Sequence, residues 1–255
     1  MFRFLLAVFL LMSVSVLSVD AQIPPNEGSG SKIQKPAEPT AVDFTSVESV
    51  YETEFTSTDD WKFVDDSWKQ KKIEGGGEVL SLHKKKSNYK PKVRSPTHLA
   101  LLKEKKFTDF RLDVQAFSTH KDYGHRDVCL FFGYKSPTEF YYVHLGKVTD
   151  DRCNQIFVVN NADRTKISTM TSIGTNWDGN WHDVRIERDA ISGDIRVYFD
   201  DMLNPVMVAN DKTFTEGQVG LGSFDDTAEF DNLRVYAPVA KKDAAEAGSG
   251  KAAGK

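Results

Sequence analysis

Hydrophobic and polar residues alternate along short stretches of the central part of the chain. In the clearest case Phe110, Leu112 and Val114 fall on one face of an extended strand, and Arg111 and Asp113 fall on the other. Similar stretches recur about every ten residues, separated by Gly, Asn, Asp and Pro. The pattern predicts β-strands at residues 49–55, 78–83, 98–101, 110–116, 127–133, 140–145, 155–160, 184–187, 195–199, 218–224 and 229–236.

These strands are not separated by long amphipathic helices, which excludes a parallel sheet with helical crossovers. Two of them flank the sequence Ser192-Gly193-Asp194, where glycine supplies the geometry of a hairpin turn. The predicted fold is therefore all-β: a single-domain antiparallel jelly-roll sandwich of two sheets.

The two ends of the chain differ from this central part. Residues 1–21 begin with a cation, continue as an apolar run too short for a bilayer span, and end at a small-residue cleavage site, which is typical of a signal peptide. Residues 22–42 are rich in Pro, Gly and Ser, and residues 238–255 in Ala, Gly and Lys, so we expect a disordered linker and tail. The mature chain, with its domain at residues 43–237, should be secreted or periplasmic and carry no membrane span.

Composition narrows the class of protein. Hydrophobic residues make up 40% of the 255 residues, and 17 Phe, 8 Tyr and 4 Trp suffice for a packed core, which excludes a wholly disordered or collagen-like chain. The formal net charge is −4. A dedicated nucleic-acid-binding protein needs a surplus of basic residues, so we expect no nucleic-acid partner.

The sequence leaves open whether the two cysteines form a disulfide. Export would place Cys129 and Cys153 where disulfides persist, and neighbouring strands could bring them close enough to form one. Cys129 also lies in the middle of an apolar strand, where a free thiol packs as a small hydrophobic group.

Four segments in the second half of the chain carry a family resemblance. They are Trp181-His182-Asp183-Val184-Arg185-Ile186, Ile195-Arg196-Val197-Tyr198-Phe199-Asp200-Asp201, Gly217-Gln218-Val219-Gly220-Leu221 and Phe230-Asp231-Asn232-Leu233-Arg234-Val235. Together they resemble the closing half of a concanavalin A-like sandwich, in particular laminin-G-like and 3-keto-disaccharide hydrolase domains. The resemblance implies a secreted domain whose concave sheet faces a poly- or oligosaccharide, and it does not by itself imply catalysis.

Enzymatic activity stays open at this point. Retaining glycosidases of family 16 carry a Glu-x-Asp-x-x-Glu signature, which holds two carboxylates about 5.5 Å apart. The nearest string here begins Glu187-Arg188-Asp189, and Ser192 stands where the second Glu should be. A hydrolase of that family is therefore not expected.

Alternation also identifies candidate site residues. If Val128, Leu130 and Phe132 face the core, then Asp127 and Cys129 face outward. Applied to all strands, the rule gathers His98, Asp113, Gln115, Asp127, Tyr142 and His144 on one sheet face, with Tyr123, His125 and Arg126 at its rim and Arg164 and Trp177 in loops at its lip.

This set suits a sugar, because aromatic rings stack on sugar rings while charged groups hydrogen-bond the hydroxyls. His125 or His144 with Asp127 could instead act as a base in a glycan-cleaving hydrolase or lyase. An adhesive or structural protein, with its flexible ends as tethers, is a third hypothesis. Outward residues of an antiparallel sheet are polar in any case, so a plain solvated face is the competing interpretation.

Two charged segments lie outside this set. Six cations between Lys84 and Arg94 form either a solvated loop or an electropositive rim that steers an anionic polysaccharide. Asp225 and Asp226 could supply oxygen ligands to a structural calcium ion, although acidic turns without a metal are commoner.

Overall fold

A computed structural model describes residues 42–238 of the chain. The predicted signal peptide, most of the linker and the tail beyond Pro238 lie outside the described residues. Within this range the chain forms sixteen β-strands, and no helix in it is long and apolar enough to cross a bilayer.

Nine strands form the larger antiparallel sheet, here called sheet A. Eight of them follow the order β11-β14-β13-β12-β6-β16-β4-β3, and β1 pairs with β16 beside this path. Their bounds are β1 Val47–Thr53, β3 Trp68–Lys72, β4 Glu78–Leu82, β6 Phe110–Ser118, β11 Ser168–Thr171, β12 His182–Arg188, β13 Asp194–Phe199, β14 Met207–Asn210 and β16 Ala228–Pro238.

Seven strands form the second antiparallel sheet, sheet B, in the order β10-β9-β8-β7-β15-β5-β2. Their bounds are β2 Trp61–Phe63, β5 His98–Leu102, β7 Asp127–Ser136, β8 Glu139–Gly146, β9 Gln155–Asn160, β10 Thr165–Lys166 and β15 Gln218–Ser223. All of the strands predicted from alternation are present, and the all-β two-sheet prediction is confirmed.

The two sheets pack face to face around a shared hydrophobic core. Leu112 and Val114 of β6 lie in the same buried cluster as Val128, Leu130 and Phe132 of β7. Alternation therefore assigned the inward side chains of both strands correctly. Burial of these side chains supplies the main free energy that holds the sandwich together.

The predicted hairpin joins β12 to β13. Its register pairs Val184 with Phe199 and Arg188 with Ile195. Gly193 lies in the turn with φ of 88°, in the left-handed region that other residues adopt at a cost.

The outer face of sheet B is not open to solvent as an antiparallel sheet face often is. It carries a second buried cluster that includes Leu99, Phe131 and Phe140, against which Tyr89 and Val93 pack. The segment between β4 and β5, residues 83–97, therefore covers part of this face. Its lysines stay exposed while Tyr89 and Val93 turn inward.

The two cysteines are both buried free thiols. Cys129 is on the covered outer face of β7, where its Sγ donates a hydrogen bond to Oδ2 of Asp127 at 3.3 Å. Burial and the neighbouring carboxylate raise the pKa of this thiol. Cys129 is therefore a free thiol that packs as a small buried group, and it does not form a disulfide with Cys153.

Candidate functional site

Strands β7 and β8 bring part of the predicted site together. Tyr141 and Val143 point into the core, so Tyr142 and His144 share the outer face of sheet B with Asp127. The Nε2 atom of His144 lies 3.3 Å from Oδ2 of Asp127. Alternation predicted that these two residues share a face, and left open whether His125 or His144 is the partner of Asp127.

Asp127 is a buried carboxylate with several donors. Oδ1 accepts a hydrogen bond from the hydroxyl of Ser223, and Oδ2 accepts one from the backbone N–H of Phe224 at 3.0 Å. Burial alone would raise the pKa of Asp127, but His144 and these donors outweigh it and hold the pKa below its usual value. Asp127 is therefore ionised at neutral pH.

A cavity of about 220 Å³ opens above this pair. We call it the arginine cavity, because three of its lining residues are arginines. Its walls are Arg94, Tyr123, His125, Asp127, His144, Arg152, Arg164, Phe224 and Asp225. A second hollow of about 400 Å³ shares the same three arginines, so a basic ridge separates two neighbouring depressions.

Arg164, which follows β9, is held by both aromatic and hydrogen-bonding contacts. Its guanidinium lies 4.6 Å from the ring centre of Phe157 and 4.7 Å from that of Phe224, and its Nη1 donates to the hydroxyl of Tyr142 at 2.8 Å. Arg94 contacts the Phe224 ring as well, at 5.5 Å. Aromatic faces attract cations, and they hold the planar guanidinium in one orientation.

None of the three guanidiniums in this ridge is paired directly with a carboxylate of the described residues, although Asp127 and Asp225 line the arginine cavity and Asp151 and Asp163 line the neighbouring hollow. Among residues 42–238, no carboxylate lies within ion-pairing distance, 4.0 Å, of the Arg94, Arg152 or Arg164 guanidinium. Two of these cations share the same phenyl ring. Because like charges held together repel, the arrangement favours an anion that can bridge them.

His125 lies at the mouth of the arginine cavity and is more than half exposed. Its Nε2 is 2.8 Å from Oδ2 of Asp150. The carboxylate orients the ring, which leaves Nδ1 available to a bound molecule. This imidazole–carboxylate pair is a better-placed acid–base group than the buried His144.

The predicted calcium ligands Asp225 and Asp226 differ in their surroundings. Asp225 is exposed, whereas Asp226 is buried and accepts hydrogen bonds from the Tyr123 hydroxyl at 2.8 Å and from the Asp127 backbone N–H at 3.0 Å. Burial and the charge of Asp127 raise the pKa of Asp226 to about 7. Protein donors already satisfy this carboxyl, and calcium binding here stays a prediction.

Two predicted site residues belong to the other sheet. Asp113 and Gln115 are on β6 of sheet A, so the expectation that one face collects all six outward residues is wrong. They line a separate hollow of about 280 Å³, where Asp113 binds Arg185 through two hydrogen bonds and Gln115 donates to Asp183. Alternation assigns a side chain to a face, but it does not say which sheet the strand joins.

Four other predicted residues are buried and hold the structure together. His98 is sealed under the segment 83–97, between Asp65 and the carbonyl of Lys85. Arg126 donates to Ser118 and to the carbonyl of Trp177. Trp177 is 1% exposed, donates to the carbonyl of Leu145 and lies in the core, so its placement at the lip is wrong. Tyr142 is fully buried and cannot stack on a sugar.

Sequence reasoning missed two lining residues, Arg152 and Phe224, and did not assign Arg94 to the site. Phe224 is the last residue of the strand predicted at 218–224 and directly follows β15 in the structure, but it was not assigned to the site. Arg152 belongs to an irregular turn, in which Asp150 accepts its backbone N–H. The basic run that ends at Arg94 was the one usable signal for a cationic site.

Comparisons with known proteins show the fold. No family model matches the chain, and no curated protein matches its sequence. Among solved structures, the carbohydrate-binding module CBM66 from Bacillus subtilis is 18% identical, with a TM-score of 0.50, and covers 70% of this chain and 96% of its own. A Bacillus subtilis protein of unknown function with a galectin-like fold is 12% identical, with a TM-score of 0.50. The alignment covers 75% of this chain and 99% of that protein.

The fold is that of the concanavalin A-like jelly-roll sandwiches. The fold expected from the four sequence segments is therefore confirmed. Such low identities show architecture alone, and the site must be argued from its own residues.

Proposed function

We propose that the domain binds an acidic poly- or oligosaccharide in the arginine cavity. The observation that carries the proposal is the convergence of Arg94, Arg152 and Arg164 without a carboxylate partner among the described residues. A uronate carboxylate or a sulfate accepts two parallel hydrogen bonds from a guanidinium, which is the geometry that arginine provides.

The remaining walls suit the neutral part of such a sugar. Tyr123, His125 and Asp225 present polar groups at the mouth of the cavity, where sugar hydroxyls can donate or accept hydrogen bonds. Likeness in fold to a solved carbohydrate-binding module supports the same ligand class. The two adjoining hollows, which share the arginine ridge, have room for more than one sugar unit.

We also propose that the protein acts outside the cytoplasm. The predicted signal peptide at residues 1–21 supports export. N-terminal sequencing of the protein from culture medium or periplasm is expected to begin at Gln22, and an unprocessed Met1 would contradict export.

Binding can be tested by calorimetry on the full mature chain with oligogalacturonate, heparin oligosaccharides and dextran as probes. We expect binding to at least one acidic probe and none to dextran. Arg164→Gln should weaken it about 10-fold to 100-fold, as loss of a charged hydrogen bond does. The matched control is Arg196→Gln, because Arg196 is exposed on sheet A and pairs with Asp194.

Two results would contradict the proposal. One is equal affinity for dextran and the acidic probes, and the other is an unchanged affinity in the Arg164→Gln variant. An equal loss in both arginine variants would show a general charge effect and not a specific site.

Cleavage of the glycan is the second candidate function, and the His125–Asp150 pair favours it. A base at the mouth of the cavity could remove the proton from the carbon beside a uronate carboxylate, with the arginines stabilising the charge that develops there. The electron pair then forms a carbon–carbon double bond as the bond to the neighbouring glycosidic oxygen breaks, and that oxygen leaves as a hydroxyl after taking a proton from solvent. An assay for unsaturated or reducing ends during prolonged incubation decides between binding and cleavage. Released ends that disappear in His125→Ala would establish the enzyme, and their absence would leave a binding module.

A further inference from the structure

Beneath the arginine cavity lies a second set of chemical groups that glycan binding does not require. Asp127 and Cys129 are two residues apart on the outer face of β7, and His144 is directly opposite Cys129 on β8. All three side chains are buried, and one potential ligand atom from each lies within 4.8 Å of the others. A carboxylate oxygen, a sulfur and an imidazole nitrogen therefore converge.

The protonation of His144 leaves one ring nitrogen without a partner. Its Nδ1 lies 2.9 Å from the carbonyl oxygen of Arg152, which can only accept, so Nδ1 carries the proton. Nε2 is buried and makes no hydrogen bond, although Oδ2 of Asp127 is 3.3 Å away. A neutral ring would turn this lone pair toward a carboxylate oxygen, which is unfavourable; either a proton on Nε2, as in the ion pair that lowers the pKa of Asp127, or a metal cation between the two atoms relieves it.

Two of the separations between these atoms match those between ligands of one small metal ion. Zinc binds nitrogen and oxygen at about 2.0–2.2 Å and sulfur at about 2.3 Å, so tetrahedral ligands lie roughly 3.3–3.7 Å apart. The Nε2–Oδ2 and Sγ–Oδ2 distances are both 3.3 Å. The hydrogen bond from Nδ1 to a backbone carbonyl is the arrangement that orients histidine ligands in metal sites.

We propose that Asp127, Cys129 and His144 bind one divalent transition-metal ion of the zinc type. Cys129 binds as the thiolate and releases its proton to solvent. Asp127 and His144 also line the arginine cavity, from which water or a ligand oxygen could complete the coordination. The thiolate selects against calcium and magnesium, which prefer oxygen ligands alone.

The proposal does not rest on glycan binding, because the ion is measured without a sugar. The probe is Co²⁺, added to the untagged, reduced and chelator-stripped mature chain, with Zn²⁺ as competitor. We expect one ion per chain, visible d–d absorption, and a near-ultraviolet sulfur-to-cobalt band that an equivalent of Zn²⁺ removes. The band reports a metal–thiolate bond, which an aspartate–histidine pair sharing only a proton cannot produce.

Two variants assign the ligands. The chain has two cysteines, so a band that persists in Cys153→Ala assigns the sulfur to Cys129 even if a variant at Cys129 fails to fold. Cys129→Ala should lose the band and weaken Co²⁺ binding at least about 10-fold, since even outer-sphere changes cost that much. Near-ultraviolet circular dichroism checks that both variants keep their tertiary structure.

Three outcomes would overturn the proposal. The first is a stripped chain that takes up no Co²⁺ or Zn²⁺. The second is binding without the sulfur band, and the third is a band that vanishes in Cys153→Ala while Cys129→Ala retains it. Failure of glycan binding together with an intact sulfur band would refute the proposed function and leave the metal site standing.

Discussion

The hydroxyl of Tyr142 accepts a hydrogen bond from Nη1 of Arg164, and the Tyr142 side chain is itself fully buried. A rigid residue of sheet B thus fixes the direction of a cation in the arginine cavity. Without that hydroxyl, the guanidinium keeps its aromatic neighbours, Phe157 and Phe224, and loses one of its positional restraints.

Tyr142→Phe should therefore weaken binding of the acidic probe about threefold to tenfold, less than Arg164→Gln, because the cation remains. Calorimetry measures the affinity. Tyr134→Phe is the matched control, since Tyr134 lies on the same sheet face against Phe140 and outside the cavity. An affinity in Tyr142→Phe equal to wild type would show that Arg164 needs no such support.

The basic segment before β5 should affect how fast a glycan arrives. Lys90 and Lys92 are exposed and lie close in sequence to Arg94, which lines the arginine cavity. Neither lysine lines the cavity itself. In the double variant Lys90→Gln/Lys92→Gln, we expect a lower association rate for the acidic probe and an unchanged dissociation rate, with the difference vanishing at high salt. Surface plasmon resonance at two ionic strengths measures both rates.

The matched control for this pair is Lys69→Gln/Lys72→Gln on β3, where both lysines are exposed on sheet A. It removes the same charge from a different place. Equal slowing in both double variants would attribute the effect to net charge and remove any special role of the segment.

Trp177 is expected to matter for stability and not for binding. Trp177→Phe removes the hydrogen bond to the Leu145 carbonyl and part of a core side chain, so unfolding free energy should fall by about 1–3 kcal/mol. Affinity for the acidic probe should stay within twofold. Urea denaturation measures the unfolding free energy, and calorimetry measures the affinity. An unchanged stability with a weakened affinity would instead place Trp177 at the lip of the site.

Asp189 is expected to stabilise the β12–β13 hairpin in its ionised form. Its carboxylate accepts backbone N–H groups from Ile191 and Ser192 and one from Val42. Burial opposes ionisation, but these hydrogen bonds outweigh it and lower the pKa of Asp189 below its usual value. A carboxyl with a depressed folded-state pKa stabilises the fold above its unfolded-state pKa, about 3.9, and that contribution is lost as pH falls through the folded value.

Asp189→Ala should lower the unfolding free energy at pH 7 by about 1–2 kcal/mol, because it leaves three partly buried backbone donors without their acceptor. The difference from wild type should shrink as pH falls below 4. Urea titrations at pH 7 and pH 3 measure it. A destabilisation equal at both pH values would show that the carboxylate charge contributes nothing.

Alternation in sequence predicted which side chains face the core, because that information is local to each strand. It placed Asp127 and His144 on the same face correctly, since β7 and β8 are neighbours in both sequence and space. It failed for Asp113, because the sheet that β6 joins depends on long-range pairing with β12 and β16. Arg152 could not be predicted either, since loop positions have no period.

Five short strands were also missed: β2, β3, β10, β11 and β14. Four of these contain two to four residues, too few for a periodic signal. The fifth, β3, reads Trp-Lys-Gln-Lys-Lys and lies at the edge of sheet A. Lysines at a sheet edge discourage pairing with other chains, and they also hide the strand from a hydrophobic pattern.

The segment between β4 and β5 joins two different sheets and crosses the outer face of sheet B on its way, held there by His98 beneath it. It also delivers Arg94 to the arginine cavity. One loop thereby forms part of the recognition surface, while Tyr89 and Val93 anchor it to the buried outer face of sheet B. Substitutions within residues 83–97 could therefore change the ligand preference without altering the strands, as loop changes do on other rigid β-sheet scaffolds.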